Sequence, residues 1–286
     1  MGYLLAVLCL LGVFTFNLPV RAEDLPYQIY GNLHLSLDKL DTKEGIGMNS
    51  NTSSIGLKGH KAAGSKGITF LYKLEWQIDI SDRNVEKGMV DRDQWIGMKG
   101  KFGKILIGTS TSNYKQMGGK VDPMYRTQLE GRSSFMKIQS RRLHAGAGIN
   151  RGRMTKSLNY TTPTVHGVSM VFNSSFSNAD DESYGLGIRY KSKTSLLYLD
   201  YFSDGDVSGQ VEKSVKVGGY YITGNWKLGA QVENSENIDG SNYWFLGATY
   251  KLAPNEALYF STGGADGEFD SSSYAIMYDK QWDKLI

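Results

Sequence analysis

The sequence alternates apolar and polar residues over unusually long stretches. From Ile68 to Ile80 every second residue is apolar or aromatic, and most of the residues between them are polar or charged. Tyr27 to Leu37 shows the same alternation. A period of two places the apolar residues on one face of a β-strand and the polar residues on the other. Thirteen alternating residues are long for a soluble strand and match a tilted strand that crosses a membrane.

This alternation recurs along the chain and predicts fourteen strands. They lie near residues 27–37, 52–61, 68–80, 91–100, 104–112, 153–162, 166–178, 182–192, 193–204, 212–223, 224–237, 240–252, 256–264 and 270–282. An even number of strands places both ends of the wall on the same side, as closed antiparallel barrels require. Short turns mostly alternate with longer polar loops, although 179–181 and 238–239 are short where a long loop is expected.

The amino terminus has the features of an export signal. Leu4 to Leu18 is a mainly apolar run, and Val20-Arg21-Ala22 follows it with short side chains at the outer two positions. We therefore predict a secretory signal peptide at 1–22 and a barrel domain at 23–286. Met1 to Tyr3 contain no lysine or arginine. Because the single cysteine, Cys9, lies in the signal, the mature chain is expected to contain no disulfide.

Alternation alone leaves two all-β folds open. In a soluble sandwich the apolar faces of two sheets meet in a core, whereas in a membrane barrel they face lipid. The export signal, the strand lengths and the aromatic residues near strand ends favour the barrel. We therefore predict a closed antiparallel transmembrane β-barrel in which the Ile68 and Phe70 face meets lipid and the Lys73 and Glu75 face meets water.

The segment 113–152 interrupts the pattern. It shows no strand-like alternation, and a loop of that length within one domain is usually functional. It is strongly basic: with Arg153, which follows it, it includes Lys115, Lys120, Arg126, Arg132, Lys137, Arg141, Arg142 and Arg151, against Asp122 and Glu130. We predict that this third external loop folds into the barrel lumen and faces wall residues Lys58, Lys73, Glu75 and Arg92. The alternative is a solvated surface loop.

Other functional classes find less support. The net charge of +3 comes with one basic loop and no basic domain, so no nucleic-acid partner is expected. The four histidines are scattered and no nucleophile or metal-binding motif is present, so we expect no enzyme, metal or cofactor. His34 and His60 would lie on lumen faces, where they could meet if the first two strands pair. An exported soluble β-domain that binds surfaces is a further alternative.

Several segments resemble the general diffusion porins of Gram-negative outer membranes. The matching segments follow the family's order: Tyr30 to Leu37, Ser54 to Gly59, Arg92 to Met98, Phe102 to Gly108, Ser157 to Pro163, and Tyr250 to Leu252 with Ala257 to Tyr259. The resemblance implies an outer-membrane barrel, usually trimeric, whose third loop narrows an aqueous pore for small hydrophilic solutes and ions. It also implies contacts with outer-membrane lipid and lipopolysaccharide.

Three features depart from that family. It typically has sixteen strands, so one hairpin between Glu233 and Tyr243 is missing here, and sixteen strands remain the alternative to fourteen. Its inward loop usually carries several acids, whereas this loop is basic, which predicts a mild anion preference. Its terminal aromatic residue corresponds to Trp282, which four residues follow. A channel specific for sugars, phosphate or organic acids is the nearest alternative, with Tyr114, Tyr125 and Phe135 able to stack on a ring or to anchor the loop.

Overall fold

The computed structural model describes residues 12–14, 27–38, 44–63, 67–82, 89–144, 152–176, 182–204, 212–235, 240–267 and 270–280. Strands dominate these residues. In chain order they are β1 (Gly12–Phe14), β2 (Tyr27–Asp38), β3 (Gly47–Ser50), β4 (Ser54–Ala63), β5 (Ile68–Gln77), β6 (Val90–Gly100), β7 (Gly103–Thr111), β8 (Arg153–Thr161), β9 (Val168–Ser175), β10 (Tyr184–Lys191), β11 (Ser195–Asp204), β12 (Glu212–Thr223), β13 (Trp226–Ser235), β14 (Ser241–Ala253), β15 (Glu256–Gly267) and β16 (Ser271–Lys280).

The strands from β2 to β16 form the wall of an antiparallel β-barrel. Each pairs with its neighbour in sequence, and β3 and β4 both pair with β2, so that together they fill one position in the wall. The described residues therefore supply fourteen wall positions, as the alternation predicted. Glu233 on β13 pairs directly with Tyr243 on β14, so no further hairpin separates these two strands.

The two faces of the wall differ in chemistry. On β10, Leu186 and Ile188 are each 40% exposed, whereas Arg189 is only 5% exposed. Across the ladder, Ile188 pairs with Leu199, and both point outward. The apolar side chains thus cover the outside while polar and charged side chains are buried within. This is the arrangement that a lipid environment requires, because a membrane barrel satisfies its backbone donors and acceptors between strands.

The seam between β2 and β16 carries an unexpected strand. β1 lies within the predicted signal peptide and pairs with β2, with Val13 opposite His34. β3 and β4 pair with one edge of β2, and β1 occupies the other edge. In a closed barrel that second edge would meet β16. Asp279 on β16 interacts electrostatically with His34 across this seam. The other signal residues, Arg151 and Trp282 lie outside the described residues.

The described part of the segment 113–152, which we call the inward segment, contains regular structure that its lack of alternation did not predict. Helix α1 (Asn113–Val121) and the short helix α2 (Arg141–His144) lie within it. The Ser112 side chain caps α1 by accepting a hydrogen bond from the Lys115 N–H, at 3.1 Å. Gly118 and Gly119 weaken helix propensity, but a Cβ at either would overlap the ring of His144 or Tyr125. Close packing therefore requires both glycines.

No helix in the described ranges is both long enough and apolar enough to span a membrane.

The main apolar core lies inside the barrel, between the inward segment and the wall. Met117, Val121 and Met124 from the segment are buried against the wall strands. The wall contributes Leu196, Tyr198, Phe245, Ala275 and Met277. These strands are thus apolar on both faces, and the inner apolar side chains hold the segment in the lumen.

Introducing a charge on the outer face tests the lipid-facing assignment. Because Ile188 lies near the middle of β10 and points outward, Ile188→Arg should lower the free energy of unfolding in lipid vesicles by about 2–4 kcal/mol. Denaturant titration followed by tryptophan fluorescence measures this loss. Ile188→Leu is the matched control and should change it by less than about 1.5 kcal/mol. Equal stability of the Arg and Leu variants would contradict a lipid-facing Ile188.

Candidate functional site

The inward segment divides the barrel lumen unequally. Helix α1 contacts the wall strands β9 to β13. On its other side, residues 125–134 face a cavity of about 280 Å³ whose wall residues come from the opposite part of the barrel. One side of the segment thus anchors it, and the other side borders open space. We call this space the constriction cavity.

A buried polar network anchors the start of α1. The Asn113 amide donates to the Asp200 carboxylate at 2.9 Å, and the Arg189 guanidinium donates to the same oxygen at 2.6 Å. Arg189 also donates to the Asn113 carbonyl at 3.0 Å. Asp200 is fully buried, so its charge requires these donors. The network fixes the helix start to β10 and β11.

The next turn of α1 is held by a second set of contacts. The Tyr114 hydroxyl lies 2.8 Å from the Ser214 hydroxyl and 3.3 Å from a Glu233 oxygen, and the tyrosine side chain is completely buried. The Lys216 ammonium donates to the Tyr114 carbonyl and lies 3.9 Å from the centre of the tyrosine ring. Tyr114 therefore anchors the segment, as one of the two alternatives for this residue predicted.

His144 links separate parts of the segment to this anchor. Its Nδ1 lies 2.7 Å from the Ser140 carbonyl, so Nδ1 carries the proton and Nε2 accepts from Lys216 at 3.0 Å. Burial, together with the Lys216 charge, holds the pKa of His144 well below its usual value, which keeps the imidazole neutral. The His144 carbonyl accepts from both Lys115 and Arg132. These contacts bring residues far apart in the segment together.

Basic residues dominate the constriction cavity. Its lining includes Lys115, Arg126, Arg132 and Arg141 from the segment, with Glu130 as the acidic member from the same segment. The wall contributes Arg92 and Arg153. Tyr125 lies between two guanidiniums, 5.7 Å from that of Arg126 and 4.9 Å from that of Arg132. The cavity therefore presents arginines from both the segment and the wall.

A chain of ion pairs positions the wall side of the cavity. Glu75 pairs with Arg92 at 2.6 Å and with Lys73 at 3.0 Å. Lys73 also pairs with Asp93 at 2.9 Å, and Asp93 in turn pairs with Arg153 at 2.8 Å. The charges alternate along β5, β6 and β8, so each carboxylate lies between two cations. This arrangement holds the guanidiniums in fixed positions.

A β-bulge explains why sequence reasoning missed Asp93. Strict alternation places Arg92 and Asp93 on opposite faces, and only Arg92 was assigned to the lumen. The β5–β6 ladder shifts register between Leu74 and Trp76, so Arg92 and Asp93 together lie opposite Glu75. Such a bulge turns neighbouring side chains toward the same face. Arg153, noted only for its charge, is a wall residue of the site because β8 begins there.

The remaining predicted residues lie in different surroundings. Lys120 and Lys137 are exposed away from the constriction cavity, and Arg142 is half-buried outside it. Lys58 is exposed, with its ammonium 4.8 Å from the centre of the Tyr30 ring. Asp122 is buried and accepts from the Met124 and Gly131 backbone N–H groups at 2.9 and 2.8 Å. That any of these residues controls permeation stays a prediction.

Two other predicted groupings can be compared with the structure. The β2–β4 register pairs Asn32 with Ser54 and Tyr27 with Gly59, which places His34 and His60 about eight residues apart along the strands, or roughly 26 Å. The proposed approach of these histidines was therefore wrong. Phe135 packs against the inner apolar core and so anchors the segment. Within the described ranges, no group of three or more metal-ligating side chains comes together.

Sequence comparison identifies similar proteins. A family model described as Gram-negative porin matches residues 8–284. The major outer membrane protein P.IB of Neisseria meningitidis serogroup B is 24% identical over 272 residues, covering 86% of this chain and 75% of that protein.

Solved structures show the same fold. The anion-selective porin from Comamonas acidovorans superposes with a TM-score of 0.69 at 19% identity, covering 87% of this chain and 82% of that one. Salmonella typhi OmpF, solved in complex with daunomycin, gives a TM-score of 0.67 at 15% identity, with 86% and 82% covered. OmpT of Vibrio cholerae gives 0.61 at 15% identity, with 87% and 79% covered.

Removal of the buried anchor carboxylate should free the segment. Asp200→Ala leaves Arg189 and Lys216 buried without their shared counter-charge, which should lower the free energy of unfolding by about 3–5 kcal/mol. With α1 released, open-channel conductance in planar bilayers should rise and fluctuate. Asp91→Ala removes an exposed carboxylate and serves as the control. Steady, wild-type conductance in Asp200→Ala would show that Asp200 does not hold the segment.

Proposed function

This chain belongs to the Gram-negative porin family, and we propose that its channel favours anions over cations. It is an outer-membrane protein that forms a water-filled diffusion channel for small hydrophilic solutes and ions. The open question is therefore which charge the channel prefers. The observation that carries the proposal is the excess of arginine around the constriction cavity.

The charge count at this cavity supports an anion preference. The basic side chains that line it or belong to the chain of ion pairs behind its lining are Lys73, Arg92, Arg126, Arg132, Arg141 and Arg153, and the acidic ones are Glu75, Asp93 and Glu130. Six cations against three carboxylates leave an excess of three positive charges. Guanidinium groups stay protonated at any physiological pH, so this excess is permanent at the arginines.

Two further groups modify that count only slightly. Burial, with neighbouring arginine charges, holds the pKa of Lys115 well below its usual value, so this lysine adds less charge than its position implies. Burial also raises the pKa of Asp122 to about 7, so its negative charge is incomplete at neutral pH. The arginines are consequently the main source of the field.

Charges in a narrow pore act over several ångströms. A water-filled tunnel through low-dielectric walls screens fixed charges less than an open surface does. A positive excess at the narrowest part lowers the energy of an anion there and raises that of a cation. The similar Comamonas porin is described as anion-selective, which agrees with this reading, although the likeness at 19% identity concerns the fold.

We also propose an assembly and a processing state. On the family resemblance, the mature channel is a homotrimer surrounded by outer-membrane lipid and lipopolysaccharide. On the signal-peptide pattern of the sequence, it begins after residue 22. Removal of the signal peptide would take β1 away from the β2 edge and leave that edge to β16. The native mass in detergent and the amino-terminal sequence of the purified protein test these points. No catalytic activity is expected, and assays with lipid and peptide substrates check this.

Loss of the cavity arginines that lack a carboxylate partner should weaken selectivity most. The ion pairs among the described residues leave the Arg126 and Arg141 guanidiniums without a carboxylate. Each charge changes the energy difference between an anion and a cation in the pore by about 0.5–1 kcal/mol. Arg126→Gln with Arg141→Gln should therefore lower the anion-to-cation permeability ratio by roughly two- to five-fold per residue. Reversal potentials in a KCl gradient measure this ratio.

The matched control keeps the charge at both positions. Arg126→Lys with Arg141→Lys should retain the wild-type ratio within about two-fold, because an ammonium supplies the same charge. Cation preference in the wild-type protein would refute the proposed function outright. A normal ratio in the Gln variant would assign the preference to other residues.

The pH dependence of selectivity should follow Asp122. Its pKa of about 7 lies above the usual carboxyl value, so the group is largely ionised at pH 8 and largely neutral at pH 6. Lowering the pH therefore removes negative charge near Glu130 and Arg132 and should increase the anion preference. Asp122→Asn should show a flatter response over this range. An unchanged slope in this variant would exclude Asp122 as the cause.

A further inference from the structure

A second, larger cavity lies away from the constriction. Its volume is about 670 Å³, and it lies between the carboxyl-terminal half of α1 and the ends of β9 to β12 that are joined by short turns. In outer-membrane barrels the short turns face the periplasm. We call this space the lysine vestibule and define it by Lys120, Arg189, Lys191, Lys193, Ser169 and Ser192.

The vestibule is basic throughout. Lys120, Lys191 and Lys193 are exposed and line it, and no carboxylate among the described residues does so. Lys120 extends from α1, Lys191 ends β10, and Lys193 lies in the turn before β11. Three separate elements thus place lysines around one space. Such convergence differs from a run of lysines along one solvated face.

The negative end of α1 does not cancel this charge. The last carbonyls of a helix carry a partial negative charge that would weaken an anion site beside them. Here the Lys227 ammonium donates to the Lys120 carbonyl at 2.8 Å. A cation therefore satisfies and offsets that end of the helix, while the Lys120 side chain still faces the cavity.

An unused donor lies in the vestibule wall. Arg189 is 5% exposed, and its Nη atoms bind Asp200 and backbone carbonyls. Its Nε, in contrast, is buried without a hydrogen-bond acceptor in the described structure. A buried donor without a partner costs free energy, so an acceptor from a bound anion would stabilise it. This observation is independent of the lysines.

We propose that the lysine vestibule binds small phosphate-bearing anions that reach the channel from the periplasmic side. Ammonium groups bind phosphate as compact point charges, and several of them favour a multivalent anion over chloride. The volume lies in the range of small-molecule sites and excludes a folded macromolecule. Ser169 and Ser192 add neutral hydroxyl groups at the same wall. The binding step precedes passage through the constriction cavity, so this inference rests on the proposed channel function.

The test uses inorganic pyrophosphate as the probe in planar bilayers. Chloride current through single wild-type channels is recorded while pyrophosphate is added to one side and then, in separate recordings, to the other. We expect pyrophosphate added to one side to reduce the current at a concentration at least several-fold lower than pyrophosphate added to the other side. In Lys191→Gln with Lys193→Gln, the more sensitive side should require about tenfold more pyrophosphate, so that the asymmetry disappears.

A control variant removes two charges from the same end of the barrel. Lys61 lies near the end of β4 and Lys101 in the turn between β6 and β7, and neither lines the vestibule. Lys61→Gln with Lys101→Gln should keep the wild-type asymmetry. Lys191→Arg with Lys193→Arg should keep it as well, because the charges remain. Normal chloride conductance before addition of pyrophosphate confirms that each variant has folded.

The outcomes separate this inference from the anion preference. Arg126→Gln with Arg141→Gln should lose selectivity in a KCl gradient but keep the one-sided pyrophosphate effect, and the vestibule variant should do the opposite. Cation preference in the wild type with one-sided inhibition would refute only the proposed function. Equal sensitivity to pyrophosphate from both sides would overturn the proposed binding at the lysine vestibule. The same loss of asymmetry in the vestibule and control variants would overturn it as well.

Discussion

The strongest constraint on this protein is that its backbone must satisfy its own hydrogen bonds in hydrocarbon. An unpaired N–H or C=O costs several kcal/mol there, so each strand from β4 to β15 pairs with both neighbours, and in a membrane the free edges of β2 and β16 have to meet. The outer face then has little freedom, since Ile188, Leu199 and their neighbours must remain apolar. Chemical variation is confined to the lumen. Both cavities and all the buried ion pairs described above accordingly lie inside the wall.

Within the lumen, apolar contact and buried charge have different roles. The Met117, Val121 and Met124 side chains bury apolar area against the wall, which favours an inward segment without specifying its exact position. The directional contacts of Asn113, Asp200 and Arg189 specify that position. A buried ion pair often adds little net stability, yet loss of one partner is costly. The charged anchor therefore acts mainly against alternative placements of the segment.

The sequence predicted the wall well and the inside of the barrel poorly, for physical reasons. Period-two alternation follows from strand geometry, so fourteen strands and the direct β13–β14 pairing could be predicted. The bulge opposite Glu75 breaks that period, and therefore Asp93 was missed. Helix α1 contains Gly118-Gly119, whose low helix propensity hid it. The contacts of Asn113 with Asp200 and of His144 with Lys216 join residues far apart in sequence, which no local pattern reveals.

The paired and unpaired cations of the constriction cavity depend on each other. Arg92 and Arg153 are held by Glu75 and Asp93, so their charges are largely compensated but their positions are fixed. Arg126 and Arg141 add uncompensated charge, yet they lie on a segment that would move if it were not anchored. A mobile charge averages its field over the space that it visits, whereas a fixed charge concentrates it at the narrowest point. The proposed selectivity therefore rests on the buried carboxylates of the wall as much as on the arginines of the constriction cavity.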